Sequence, residues 1–249
     1  MDPQVTRALD VVARAPRLLV ATDFDGVLAP FVLDPMDARP QAGTVESLGR
    51  LAAAEATWTA VVSGRDLATL TALTGIDSAT TLIGSHGAET SRSASGLVTP
   101  EVSARLHALR SAIEDDVARR DPRIRLEHKP TAVVLHTRGL PDEAVDAAAE
   151  IAAAAATTDG ITLLSGKGVH ELSVVRADKG TALTALADEI AVDAMVYLGD
   201  DVTDEHVFAV LGAADLGIKV GEGETAARLR LPDSTAVPDV LATLARLRT

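Results

Sequence analysis

Apolar residues in this chain gather in short runs, and polar or charged residues stand where each run ends. Residues 18–22, 58–63 (WTAVVS), 81–84 (TLIG), 194–198 (AMVYL) and 216–220 (LGIKV) read as buried strands. Helical spacing occupies residues 4–15, 45–54, 66–73, 179–190 and 205–211. This alternation of strand, loop and helix predicts a parallel sheet covered by helices on both faces. The rhythm changes in the middle of the chain. A long charged helix over 101–120 is followed by strands at 124–129 and 132–138, an Ala-rich helix at 141–157, and strands at 161–164 and 169–175. That order predicts an α+β unit with an antiparallel sheet. The expectation is an α/β core made of residues 1–90 and 176–249, split by an inserted module over 91–175.

Composition narrows the functional classes. The chain has 249 residues, is 47 % hydrophobic and only 2 % aromatic, so its core is aliphatic and offers few rings for base stacking. A net charge of −13 disfavours nucleic acid and anionic membranes as partners. Without cysteine, disulfides, thiolate nucleophiles and zinc–thiolate sites are excluded. No apolar run approaches the roughly 20 residues of a membrane helix. The N-terminal segment, MDPQVTRALDVVARAPR, is charged and helix-like rather than a signal peptide. A soluble, cytoplasmic, monomeric protein is expected.

The charged residues at the strand ends carry the chemistry. Asp23-Phe-Asp25-Gly, Ser63-Gly-Arg65, Gly84-Ser-His86-Gly, Lys179-Gly and Gly199-Asp200-Asp201-Val-Thr-Asp204 all fall at expected strand ends or just beyond. Ligands of open parallel sheets bind at the carboxyl ends of the strands, so these segments can converge. Asp23 and Asp25 would repel each other in a dry crevice. A hard divalent cation resolves the conflict, with carboxylate oxygens from Asp23 and Asp200 and the backbone carbonyl of Asp25 completing an Mg²⁺ shell together with water and phosphate. DFDG alone would also fit a β-turn, but GDDVTD after a second apolar strand favours the metal reading.

DFDGVLAP resembles the nucleophile motif of the haloacid dehalogenase superfamily. Ser63-Gly-Arg65, Lys179 and Gly199–Asp204 are similar to its second, third and fourth motifs, in order. The insert lies between the second and third, where a C2-type cap belongs. The fold the resemblance implies is a Rossmann-like parallel-sheet core with an inserted α+β C2-type cap. Finer features, including VVSGR, SHGAE, EHK…HTR, SGKGVHEL, GDDVTDEHVF and VGEGETAARLRLPD, resemble trehalose-6-phosphate phosphatases over residues 20–240.

The resemblance implies Mg²⁺-dependent hydrolysis of trehalose 6-phosphate. Asp23 would be the nucleophile that forms an aspartyl-phosphate. Asp25 would protonate the leaving sugar oxygen and then deprotonate water, a contribution of roughly 10²–10⁴-fold; the spacing of two puts both side chains on one side of an extended strand end. Ser63 would donate to the phosphoryl group and Lys179 would neutralise it. Asp201 and Asp204 would support the cation ligands, Asp204 paired with Lys179. Residue 27 is valine where many relatives have threonine, so a hydroxyl that could support Asp25 is absent.

Substrate contacts are expected from Gly64, Arg65 and His86 in the core, and from Lys129, His136, Lys167 and Glu171 in the cap, with Lys167 and Glu171 on the sugar distal to the phosphate. A structural hydrogen bond is the alternative for His86, and a solvated sheet face for Lys129 and His136. The partner is a small phosphosugar. Phosphates of other sugars, such as sucrose or mannosylglycerate, and a catalytically silent binding module are the rival readings. Gly221-Glu-Gly223-Glu-Thr-Ala226 matches a dinucleotide-binding fingerprint but places glutamates where pyrophosphate would sit. It is expected to be a loop near the site, with Thr225 capping a helix. Gly166-Lys167 lacks the remaining residues of a P-loop.

Overall fold

The structure, a computed structural model, describes residues 2–76, 78–92, 100–166, 168–175 and 177–249. Two compact units result: Met1–Ala94 with Ala177–Thr249, and Ser95–Arg176. The strands are β1 (Leu18–Asp23), β2 (Thr57–Val62), β3 (Thr80–Gly84), β4 (Glu89–Thr90), β5 (Arg125–Lys129), β6 (Ala132–His136), β7 (Thr162–Gly166), β8 (Val169–Ser173), β9 (Ala194–Gly199), β10 (Leu216–Val220) and β11 (Leu229–Leu231). The helices are α1 (Pro3–Val12), α2 (Thr44–Ala53), α3 (Leu67–Thr74), α4 (Pro100–Arg120), α5 (Asp142–Ala155), α6 (Lys179–Glu189), α7 (Glu205–Phe208) and α8 (Val237–Arg248).

The first unit is a mixed α/β domain around a sheet of order β11-β10-β9-β1-β2-β3-β4, parallel except for the β3–β4 pair. All six residues of β1 are buried, as a central parallel strand covered on both faces requires. Side-chain alternation sorts it onto two cores. Leu18 and Val20 pack with α1, α2 and α8, whereas Leu19 and Ala21 pack with Tyr197, Leu183 and Phe208. From β1 the chain fills one side of the sheet with β2 and β3, and later the other side with β9, β10 and β11. This change of direction opens a crevice at the carboxyl ends of β1 and β9.

In the second unit a four-stranded antiparallel sheet of order β5-β6-β8-β7 packs one face on α4 and α5. Val133, Leu135 and Leu172 meet Leu109, Ile113 and Ile151 on that face. Alternation puts Glu127, Lys129, His136 and Glu171 on the opposite face, beside Val134.

Some expectations are corrected. Thr225 caps no helix. Its hydroxyl accepts from the Ala227 N–H at 3.0 Å in a local turn, and the chain continues into β11. Helix α7 ends at Phe208 rather than at 211. Helix α8, absent from the sequence reading, buries Val237, Val240, Leu241 and Leu244 at helical spacing. Among the described residues no helix is long and apolar enough to cross a membrane.

Gly180 shows how closely the site-bearing helix is seated. A Cβ there would lie 2.3 Å from the His206 carbonyl oxygen of α7. Gly180→Ala is therefore expected to destabilise by about 1–3 kcal/mol through overpacking, despite the better helix propensity of alanine. The expected fall in Tm is about 2–4 °C per kcal/mol for a chain of this size. An unchanged or raised Tm would contradict the tight α6–α7 contact.

Candidate active site

The site begins where β1 stops. Asp23 is its last residue and is 4 % exposed. Its Oδ1 accepts from the Phe24 N–H at 2.6 Å, and its Oδ2 accepts from the Lys179 ammonium at 2.7 Å. Lys179 opens α6, whose N-cap Asp178 accepts from the Thr181 N–H. The same ammonium donates to Asp204 Oδ1 at 2.7 Å, so one buried lysine joins two buried carboxylates.

Asp204 is saturated. Its Oδ1 also accepts from the Tyr197 hydroxyl at 2.6 Å, and its Oδ2 accepts from the Asp200 and Asp201 N–H groups at 2.7 and 2.9 Å. Asp204 thereby folds the 200–204 turn around its own side chain. Asp201 is exposed and caps the following 3-10 turn through the Val202 N–H. Asp200 differs, because its buried Oδ1 has no hydrogen-bond partner. Gly26 makes room for that carboxylate: a Cβ at residue 26 would lie 2.2 Å from Asp200 Oδ2. Asp23, Asp200 and Asp204 each offer an oxygen within 4.8 Å of the others.

Three carboxylates around one ammonium leave negative charge in a dry place. Burial lifts Asp23 well above the ordinary carboxylate range; Lys179 opposes the rise, and Asp204 and Asp200 add to it. Burial likewise carries Asp200 up to about 7, with Asp204 repelling it and Lys179 and Lys219 opposing. For Asp204, burial works upward, yet Lys179, Tyr197 and the backbone donors hold it below the usual value. Burial would depress Lys179, but Asp23 and Asp204 raise it. The orphaned Asp200 oxygen and the excess of carboxylates fit a metal ion between Asp23 and Asp200. With four donors already on its oxygens, Asp204 acts as the brace.

Asp25 stands apart from this cluster. The strand ends at Asp23, and a tight turn follows, with the Gly26 N–H donating to the Ala29 carbonyl at 2.8 Å. The expectation that Asp23 and Asp25 share one side of an extended strand end is therefore replaced by a turn. Gly26, at φ +76°, takes the left-handed conformation this turn needs. Arg65 grips the Asp25 carboxylate by both oxygens, Nε to Oδ2 and Nη2 to Oδ1, each at 2.7 Å. The guanidinium expected to touch substrate is thus engaged with Asp25, and it also stacks 5.5 Å from the Phe24 ring centroid.

Ser63, 1 % exposed, follows β2, and its Oγ accepts from the Arg65 N–H at 3.1 Å. His86 sits in a 3-10 turn at φ +55°, next to Ser85 at φ +49°, two consecutive left-handed residues that are not glycine. The His86 ring lies against Gly64, where a Cβ would come within 2.6 Å of it. The turn is tied down by the Ser85 hydroxyl donating to Glu89 at 2.6 Å and by the His86 N–H donating to the Ser63 carbonyl at 2.9 Å. In the second unit Lys129 pairs with Glu171 at 2.7 Å and His136 with Glu127 at 2.7 Å on the face of the sheet opposite α4 and α5. Lys167 lies outside the described residues. The sequence reading missed Tyr197, Lys219 and the Arg65–Asp25 clasp.

A family model described as trehalose-phosphatase matches residues 21–234. The chain belongs to the trehalose-phosphatase family. It is 33 % identical over 244 residues to a trehalose-phosphate phosphatase of Mycobacterium marinum, covering 92 % of this chain and 62 % of that relative, so it spans less than two thirds of the relative's length. Among solved structures it resembles a trehalose-6-phosphate phosphatase related protein, with 28 % identity, TM-score 0.72, and 92 % and 97 % of the two chains covered. It shares the fold of the C-terminal domain of C. albicans trehalose-6-phosphate phosphatase, with 23 % identity, TM-score 0.77, and 97 % and 96 % covered. The cluster of Asp23, Lys179, Asp200 and Asp204 lies within the span of the trehalose-phosphatase match.

The strain of this cluster is measurable without metal. A carboxyl whose folded-state value is raised to about 7 from 3.8 destabilises the fold as pH climbs through that window. In EDTA, Asp200→Asn is expected to melt above the parent chain at pH 7.5, with the gap closing toward pH 4.5. A gap that is constant or reversed with pH would contradict the crowding assigned to Asp200.

Proposed function

We propose that the chain is a Mg²⁺-dependent phosphatase that hydrolyses trehalose 6-phosphate to trehalose and phosphate. The observation that carries this reading is the Lys179 ammonium, fixed 2.7 Å from both Asp23 and Asp204, in a chain of the trehalose-phosphatase family.

Asp23 is the nucleophile, and one of its oxygens attacks phosphorus to form an aspartyl-phosphate. Lys179 holds the attacking carboxylate and takes up charge on the phosphoryl oxygens as it transfers. Ser63 donates its hydroxyl to a phosphoryl oxygen, its Oγ being oriented by the Arg65 N–H. Asp25, entering protonated and turned from the Arg65 clasp, gives that proton to the departing sugar oxygen; left as the carboxylate, it later takes one from the attacking water. Arg65 sets the plane of that carboxylate through its two-point grip.

Asp23 and Asp200 would hold the cation through carboxylate oxygens and Asp25 through its backbone carbonyl, an all-oxygen donor set suited to Mg²⁺. When bound, the cation neutralises charge on the transferring group. In the inserted unit, Lys129, His136, Lys167 and Glu171 would hydrogen-bond the sugar hydroxyls, and His86 would meet the substrate near the phosphate. The paired Lys129–Glu171 ions support this assignment, because together they can donate to and accept from hydroxyls.

Phosphate release from trehalose 6-phosphate tests the reading, beside a panel of sucrose, mannosylglycerate and glucose phosphates. Turnover is expected with Mg²⁺, greatest on trehalose 6-phosphate, and lost in EDTA. Asp23→Asn should keep the circular dichroism of the parent and lose at least about 10⁴-fold in kcat. Activity that survives full chelation, an active Asp23→Asn variant, or binding without turnover would overturn it; preference for another phosphosugar would move the substrate assignment.

A further inference from the structure

Four of the 23 basic Lys and Arg residues are lysines, at positions 129, 167, 179 and 219. Arginine supplies every other cation. Three of the lysines have roles in the reading above, and Lys219 is the fourth. It sits on β10, where all five residues of LGIKV are buried, and is itself 4 % exposed. An apolar side chain would fill that position without the desolvation penalty of an ammonium. The charge therefore calls for a reason.

The surroundings supply one. Lys219 pairs in register with Gly199, the residue before Asp200. Its ammonium donates to the Asp200 carbonyl at 2.6 Å and faces Glu205 Oε1 at 3.7 Å. Glu205 Oε1 has no hydrogen-bond partner, and its other oxygen accepts from the Ala226 N–H at 2.9 Å. The lysine thus lies behind the metal-facing carboxylate, on the backbone of the same residue. A compact ammonium suits a buried position that offers one carbonyl and one carboxylate edge, where an arginine fork would leave most of its five donors unpaired.

We propose that Lys219 is a resident counter-ion of the acidic cluster: it holds the Asp200 turn assembled before the cation arrives, and it weakens cation affinity. The proposal rests on the cation site of the preceding section. The physics has a definite sign. A fixed positive charge attracts the crowded carboxylates with or without the cation, but repels the cation once it is bound. Lys219 and the cation therefore compete for the same negative charge. The consequence is a site that keeps its shape when empty and exchanges its cation instead of trapping it.

Calorimetric titration of the purified chain with MgCl₂, paired with melting in EDTA, reads this without any turnover. Lys219→Met is expected to bind Mg²⁺ about tenfold more tightly, the scale of a unit charge acting on a divalent one several Å away even under strong screening. Its melting temperature in EDTA should fall, and the rise produced by saturating Mg²⁺ should exceed that of the parent. If Lys219→Met does not fold for want of a counter-charge to Glu205, Glu205→Gln compared with Glu205→Gln/Lys219→Met makes the same measurement, and the double variant should bind more tightly. Affinity that is unchanged or weaker on loss of Lys219 would overturn the counter-ion role and leave a purely structural lysine. A parent chain that binds no Mg²⁺ would overturn both this inference and the metal site on which it rests.

Discussion

A single buried ammonium organises the acidic cluster at the carboxyl ends of β1 and β9. Lys179 cannot remain charged in an apolar interior alone, and Asp23 and Asp204 cannot both remain ionised there without it. Their mutual need draws the end of β1, the start of α6 and the turn after β9 to one point, though the three segments are far apart in sequence. The parallel sheet makes the meeting possible, because β1 and β9 are neighbours with their carboxyl ends on the same edge. The nearest exchanges of charge are short, well-formed hydrogen bonds, so the geometry is held before any ligand enters.

The arrangement remains one cation short. Asp200 keeps a buried oxygen without a partner, and burial carries both it and Asp23 above the ordinary carboxylate range. A site with this deficit favours a proton or a metal ion, and Asp204, with four donors on its two oxygens, is built to brace rather than to bind. Arg65 with Asp25, and Lys219 with Glu205, are two further charge pairs at the margin of the cluster. Each of these local cations is already paired with a carboxylate, so the cluster adds to the chain's net charge of −13 until a further cation fills it.

Much of this was legible from the chain, for identifiable reasons. An aliphatic run that ends on Asp23, and another that ends on Gly199-Asp200, announce buried strands whose ends face polar chemistry. The change from alternating strand and helix to paired strands marked the insert. What pattern alone could not show were contacts made by residues that read as ordinary core. Tyr197 sits within an apolar run, and nothing in AMVYL discloses that its hydroxyl donates to Asp204. Lys219 was the one charged residue in LGIKV, a signal that could have been taken, since a buried strand rarely keeps a lone ammonium. The turn that swings Asp25 toward Arg65 depends on the conformation of Gly26, which spacing does not encode. Helix α8 was missed although Val237, Val240, Leu241 and Leu244 carry its period, because a proline and polar residues blur its start.

The central claim is that Asp23, held by Lys179, becomes phosphorylated during turnover. Rapid acid quenching of the chain with trehalose 6-phosphate, followed by peptide mass spectrometry, tests it most directly. The account predicts a transient phosphate on the peptide containing Asp23, assigned by fragmentation to that residue and absent from Asp23→Asn. Steady turnover with no phosphorylated aspartate at any time, or with the phosphate on another residue, would contradict it.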